Sequence, residues 1–78
     1  MTKGTIIKEI RRNDNPIFQN TTANSELTYK VVRVNQKNYT LECIEGYMKG
    51  SRCGLAKNFK EEHTDAYGTI TKRIIIEA

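Results

Sequence analysis

The pattern of residues 27–45 constrains the fold of this chain more than any other segment. Two runs rich in β-branched and aromatic residues, 27–34 and 39–45, flank the polar residues 35–38. Side chains of the first kind favour strands, whereas Asn, Gln and Lys between two such runs are typical of a turn. The segment therefore predicts a β-hairpin, and with it a mainly β, antiparallel fold.

The apolar face of this hairpin changes sides along its length. Near the turn one face is apolar, and farther from the turn the opposite face is apolar. The first set is Val32, Val34, Tyr39 and Leu41, and the second is Leu27, Tyr29, Val31 and Ile44. Because successive side chains of a regular strand alternate between faces, a switch near Val31 and Val32 predicts a strong bend or a β-bulge, as in small barrels.

Two further segments predict strands. In residues 4–12, Ile6, Ile7 and Ile10 lie among charged residues and precede the turn-forming residues 13–16. Residues 69–77 have the highest density of β-branched residues in the chain, which favours a strand. We expect these two strands to pair with each other and to close a barrel, because closure hides the edges of a sheet.

Residues 46–66 allow more than one interpretation. Residues 46–52 contain two glycines and predict a second turn. Leu55, Phe59 and His63 recur at helical spacing, so one short helix within 55–66 is an alternative to a short strand from Ser51 onward. The predicted fold is a small antiparallel β-barrel of four or five strands, SH3-like or OB-like, formed by a single domain of residues 1–78.

The length of 78 residues limits the functions that are open to the chain. A domain of this size buries only about 60% of the surface of its unfolded chain, which leaves little scaffold for a water-excluding active site. We therefore expect a non-enzymatic protein without a cofactor. The sequence has no apolar run of membrane-spanning length and no secretory signal pattern. These features predict no membrane association and a cytoplasmic location, where Cys43 and Cys53 would stay reduced.

A basic segment, residues 46–60, is the first candidate contact surface. It contains four basic residues and no acidic residue. Cations neutralise phosphates, glycines let backbone amides approach an anion, and exposed aromatic rings stack on bases. The candidate residues are Tyr47, Lys49, Arg52, Lys57, Phe59 and Lys60. The competing interpretation is a solvated turn with scattered lysines, and no phosphate-binding loop motif is present.

Two basic pairs form the second candidate. Arg11 and Arg12 lie in the first predicted strand, and Lys72 and Arg73 lie in the last. If these strands pair, one member of each basic pair faces outward and the other faces the interior. The outward members could belong to a basic stripe, and the competing interpretation is protection of an edge strand by charge.

The chain offers little for metal binding or catalysis. Cys43, Cys53 and His63 are separated by nine residues each, whereas structural zinc sites use close cysteine pairs and four ligands, so we expect no metal. A nucleophile would have to combine Cys53 or Ser51 with the single histidine, and no motif positions them together.

Three functions remain as hypotheses. The first is a binding module that uses a basic surface, built from the candidates above including Arg11 and Arg12, to contact nucleic acid or a protein that handles it. The second is an accessory protein of the kind found in phages and mobile elements, which binds and inhibits a host protein. The third is a self-associating structural protein, which would form a homodimer through an exposed sheet edge.

Overall fold

A computed structural model describes residues 1–18 and 24–78. The described part of the chain forms one six-stranded antiparallel sheet with the strand order β4-β3-β2-β1-β6-β5. The strands are β1 (Ile6–Arg12), β2 (Ser25–Val34), β3 (Asn38–Glu45), β4 (Arg52–Ala56), β5 (Glu62–Thr64) and β6 (Ile70–Glu77). A single 3-10 turn (Pro16–Phe18) follows β1 in these residues. The fold is mainly β, as the sequence predicts.

The connection between β4 and β5 determines the shape of this sheet. These two strands lie at opposite edges but are joined only by residues 57–61. In a flat sheet the two edge strands would be about 24 Å apart, whereas so short a connection spans about 20 Å when fully extended. The sheet therefore curls into a half-barrel, and residues 57–61 cross its open side.

The core lies on the concave side of the half-barrel. Eight side chains form one buried cluster: Ile7, Leu27, Tyr29, Val31, Tyr39, Leu41, Cys43 and Leu55. Phe59, in the crossing segment, and Met1 pack against this cluster and are partly buried. The two sides of the curled sheet therefore share one small core, which Phe59 covers from the open side.

The predicted hairpin and its bend are both confirmed. Strands β2 and β3 pair with Val31 opposite Leu41, but the next pair is Arg33 opposite Thr40. Val32 is therefore the extra residue of a β-bulge, which turns the apolar side of β2 by one position and bends the strand. This accounts for the change of apolar face along β2. The predicted faces themselves hold only in part, because Leu41 lies opposite Val31 and not Val32, and Val34 and Ile44 are exposed.

Two expectations need correction. The described residues contain six strands rather than four or five, and no helix forms within 55–66, where β4 ends and β5 lies. Leu55 and Phe59 repeat at helical spacing for another reason: Leu55 faces the core from β4, and Phe59 reaches the same core from the crossing segment. Strands β1 and β6 do pair, but in the middle of the sheet, so this pairing leaves β4 and β5 as edges.

A buried carboxylate ties three parts of the chain together. Glu9 on β1 is 6% exposed, and its carboxylate accepts hydrogen bonds from Arg11 at 2.9 Å and from Arg73 on β6 at 3.2 Å. The guanidinium of Arg73 also donates to the carbonyl oxygen of Lys60 at 3.3 Å, and its backbone N–H donates to the carbonyl of Glu61 at 2.7 Å. The network thus fixes the crossing segment to the sheet.

Breaking this network should destabilise the fold. Glu9→Gln removes the charge that two arginines share in a largely desolvated place, and we expect a loss of about 1–3 kcal/mol in the free energy of unfolding. Glu42→Gln is the matched control, because Glu42 pairs with Arg52 at 3.1 Å on the surface and such pairs contribute under about 1 kcal/mol. Urea unfolding followed by circular dichroism measures both, and equal losses would contradict the role given to Glu9.

A second prediction concerns the turn between β3 and β4. Gly46 has a φ of 116°, and a Cβ placed there would lie 2.5 Å from Cδ2 of Leu27 and 2.9 Å from the carbonyl oxygen of Glu26. Gly46→Ala should therefore cost about 2–4 kcal/mol, from backbone strain and overpacking together. Gly50, with a φ of 92° and open space around it, is the control. Gly50→Ala carries only the backbone strain, about 1–2 kcal/mol, so a smaller loss at Gly46 in the same unfolding experiment would be inconsistent with the crowding.

Candidate binding face

The predicted basic segment does not form one continuous surface. Tyr47 and Lys49 are exposed on the turn between β3 and β4, with Tyr47 55% exposed. Lys57 lies elsewhere, with its Nζ 5.6 Å from the centre of the Tyr39 ring. Phe59 packs against the core instead of presenting its ring to solvent. Of the two rings that could stack on a base in this segment, only Tyr47 is exposed.

The remaining basic residues of the predicted surface also lie apart from one another. Arg52 pairs with Glu42 at 3.1 Å, and Arg11 pairs with the buried Glu9 at 2.8 Å. Lys60 is exposed, while its carbonyl oxygen is held by Arg73. Strand register and face decide these positions, and neither can be read from the charge pattern alone.

The two basic pairs of the terminal strands are arranged as the alternation of a strand requires. In the β1–β6 register Glu9 lies opposite Arg73, and Arg11 lies opposite Thr71. Arg11 and Arg73 therefore face the concave side, where both contact Glu9. Arg12 and Lys72 are left on the outer, convex side, and both are exposed.

The outer side of β1 and β6 carries a shallow groove lined by Ile10, Arg12, Ile70 and Lys72, which we call the outer groove. Its volume is about 270 Å³. The register places Ile10 opposite Lys72, and Arg12 opposite Ile70, so the two isoleucines lie on one diagonal and the two cations on the other. Two residues farther along each strand, Lys8 lies opposite Ile74, so a cation and an isoleucine again face each other.

In the part of the chain that the structure describes, the cations of the outer groove are not paired with a carboxylate. Among the described residues neither Arg12 nor Lys72 forms an ion pair. Arg12 is held in place by hydrogen bonds from its guanidinium to the carbonyls of Arg11, at 2.8 Å, and Ser25, at 3.4 Å. Two carboxylates on the neighbouring strands flank the groove and limit its net positive charge. Glu26 on β2 lies opposite Ile10, and Glu62 on β5 lies opposite Lys72.

One end of the molecule is organised around Asn13. Its side-chain amide donates to the carbonyl of Tyr67 and to the hydroxyl of Thr69, both at 3.0 Å. Its own Oδ1 accepts from the backbone N–H of Asn15 at 2.8 Å, in the turn that leads to Ile17. Ile17 and Tyr67, each 75% exposed, are thereby carried on turns that this side chain holds beside the end of β1.

The sequence interpretation missed the apolar half of this face. It singled out Arg12 and Lys72 for their charge, but neither Ile10 nor Ile70. A usable signal was present: isoleucine and basic residues alternate at every second position on both strands, and every second position shares a face. The exposed ring of Tyr67 carries no such signal.

Two ionisable groups of the concave side, Tyr29 and Cys53, have raised pKa values. Burial raises the pKa of Tyr29 to about 12, with a further contribution from the nearby charge of Glu9. Cys53 is exposed overall on the edge strand β4, yet partial burial of its thiol, then Glu9 and Cys43, raise its pKa. A raised pKa lowers the thiolate fraction near neutral pH.

His63 lies on β5, at the opposite edge of the sheet, and the described residues contain no group of three metal-ligating side chains.

Comparisons of this chain with protein-family models, with curated proteins and with solved structures found no match. In the part of the chain that the structure describes, no helix is long and apolar enough to cross a membrane. Function must therefore be argued from the side chains that the fold exposes.

The raised pKa of Cys53 predicts the pH dependence of its alkylation. Because the thiolate is the reactive form and its pKa lies above the ordinary value of 9.0, the rate with iodoacetamide should rise at a higher pH than in the denatured chain. Cys43, which is buried, should stay unmodified while the protein is folded. Mass spectrometry of both cysteines across pH 7–10.5 measures this, with denatured protein as the control. A midpoint for folded Cys53 at or below the denatured one would contradict the stated environment.

Proposed function

We propose that this chain is a small, non-catalytic binding module that docks onto an acidic, partly apolar surface of a partner protein through the outer groove. One observation carries the proposal: among the described residues, the half-buried Ile10 and the exposed Ile70 alternate across β1 and β6 with two exposed cations, Arg12 and Lys72, that form no ion pair. Apolar surface supplies the favourable free energy of association, and the cations favour acidic partners and orient them.

The composition of the groove favours a protein partner over nucleic acid. Tracking a phosphate backbone requires neighbouring cations, and binding single strands adds exposed rings on which bases stack. Here each cation has an isoleucine as its cross-strand neighbour on β1 or β6, and Glu26 and Glu62 lie beside the groove. Tyr47 lies on the turn between β3 and β4 rather than in the groove lining. Binding to nucleic acid is therefore the alternative outcome of the test below.

The proposed module would act in the cytoplasm by occupying a surface of its partner. Both cysteines are free thiols, and a reducing compartment keeps them so. An accessory protein that inhibits a host protein by covering an acidic site is one form of this function.

Site-specific photo-crosslinking tests the proposal. A photoreactive amino acid replaces Ile70 in the outer groove, or Gln36 on the distant β2–β3 turn as the matched control, in the cells that make the protein. We expect the Ile70 position to give a discrete, nuclease-resistant protein adduct that maps to an acidic, apolar segment of the partner, and the Gln36 position to give none. Adding Lys72→Glu should reduce the yield about tenfold, which corresponds to about 1.4 kcal/mol.

Two results would contradict the proposal. One is the absence of any adduct specific to the Ile70 position. The other is an adduct that nuclease removes, together with binding of the purified chain to oligonucleotides that weakens steeply as the salt concentration rises. These two results together would assign the outer groove to nucleic acid.

A further inference from the structure

The free edge of β6 is the second unusual surface of this molecule. Strand β5 covers β6 only at residues 70–72, and one more backbone hydrogen bond, from Arg73 to Glu61, extends this contact. Beyond Arg73, residues 74–77 have β1 on one side and, within the described chain, no backbone partner on the other. This segment, which we call the β6 edge, leaves backbone hydrogen-bonding groups open to solvent.

The β6 edge is apolar on both faces of the sheet. Ile74, Ile75 and Ile76 are 46%, 50% and 54% exposed. Soluble proteins ordinarily protect an open edge with lysine, proline or a covering segment, because an apolar edge is a template for strand pairing. The edge strand β4 carries such a charge, Arg52, whereas the β6 edge has none before Glu77.

We propose that the β6 edge pairs with the same segment of a second copy of this chain, in antiparallel orientation about a two-fold axis. Charge favours this partner. Glu77 ends the β6 edge, whereas Lys72 lies two residues before the edge begins, in the last pair with β5. Both face the outer side, since Lys72 is opposite Ile10 and Glu77 is opposite Ile6. Antiparallel pairing brings each Lys72 towards Glu77 of the partner subunit, whereas parallel pairing brings like charges together. A two-fold axis also closes the assembly, so that this edge does not propagate into a fibre.

A bulge limits the strength of the pairing. On β1, Ile6 pairs with Glu77 and Ile7 with Ile75, so Ile76 has no residue opposite it. Such a bulge twists the end of a strand and shortens the stretch that a second strand can follow. So short an edge buries less than a stable interface needs, and we expect a weak, reversible dimer.

The dimer does not depend on the proposed function, although Lys72 belongs to both surfaces, and the purified chain alone tests it. Sedimentation velocity over roughly 10 µM to 1 mM, the range expected for an interface this small, should show a monomer–dimer equilibrium. Ile76→Lys places a charge on the edge and should weaken dimerisation at least about tenfold. Ile17→Lys is the matched control, because Ile17 is a more exposed isoleucine on the 3-10 turn, and it should leave dimerisation unchanged. Circular dichroism confirms that each variant is folded.

A charge-swap pair gives a second readout. Glu77→Lys should weaken the dimer by repulsion from Lys72 of the partner subunit, and adding Lys72→Glu should restore it. The backbone N–H of Ile75 should gain protection from hydrogen exchange as the protein concentration rises. A strict monomer at 1 mM overturns the proposal, and so does a dimer that neither Ile76→Lys nor Glu77→Lys weakens. Either result would leave the outer groove and its crosslinks unaffected.

Discussion

The short connection between β4 and β5 is the constraint on which the rest of this structure depends. Five residues, 57–61, must join the two edges of a six-stranded sheet, and they can do so only if the sheet curls. The curl gives a chain of this length a concave side that can bury a core. The same connection supplies Phe59, which covers that core, and the carbonyl oxygen of Lys60, which accepts a hydrogen bond from Arg73.

The arrangement of charge follows from the period of two along β1 and β6. Glu9 is buried on the concave side and collects the guanidinium groups of Arg11 and Arg73. Their sequence neighbours Arg12 and Lys72 are consequently placed on the convex side, where among the described residues they form no ion pair. The inner face is therefore electrostatically satisfied while the outer face retains its cations, and the outer face is where recognition is proposed.

Local sequence patterns predicted the parts of the fold that depend on neighbours along the chain. The hairpin, the bulge at Val32 and the pairing of the terminal strands could all be derived from residue type and alternation. The strand at 62–64 could not, because its three residues have no pattern of their own and are held by pairing with β6. The candidate site was predicted in part: Arg12 lies in the outer groove, whereas Arg52 and Lys57, which the sequence analysis grouped with it, lie elsewhere. Their separation follows from the strand order, which is set by contacts between distant residues.

The central position of β1 has a consequence for how the molecule is made. Strands β1 to β4 form successive hairpins and can associate as soon as they leave the ribosome, but β6 is the last of the six to emerge. Until then, one side of β1 lacks a neighbour, and Glu9 lacks Arg73, a partner 64 residues away. Contacts so distant in sequence slow folding, because a long loop must close before they form. A partly synthesised chain thus carries a half-paired carboxylate and an open strand in the middle of its sheet, and unpaired strand edges of this kind make incomplete chains prone to aggregation.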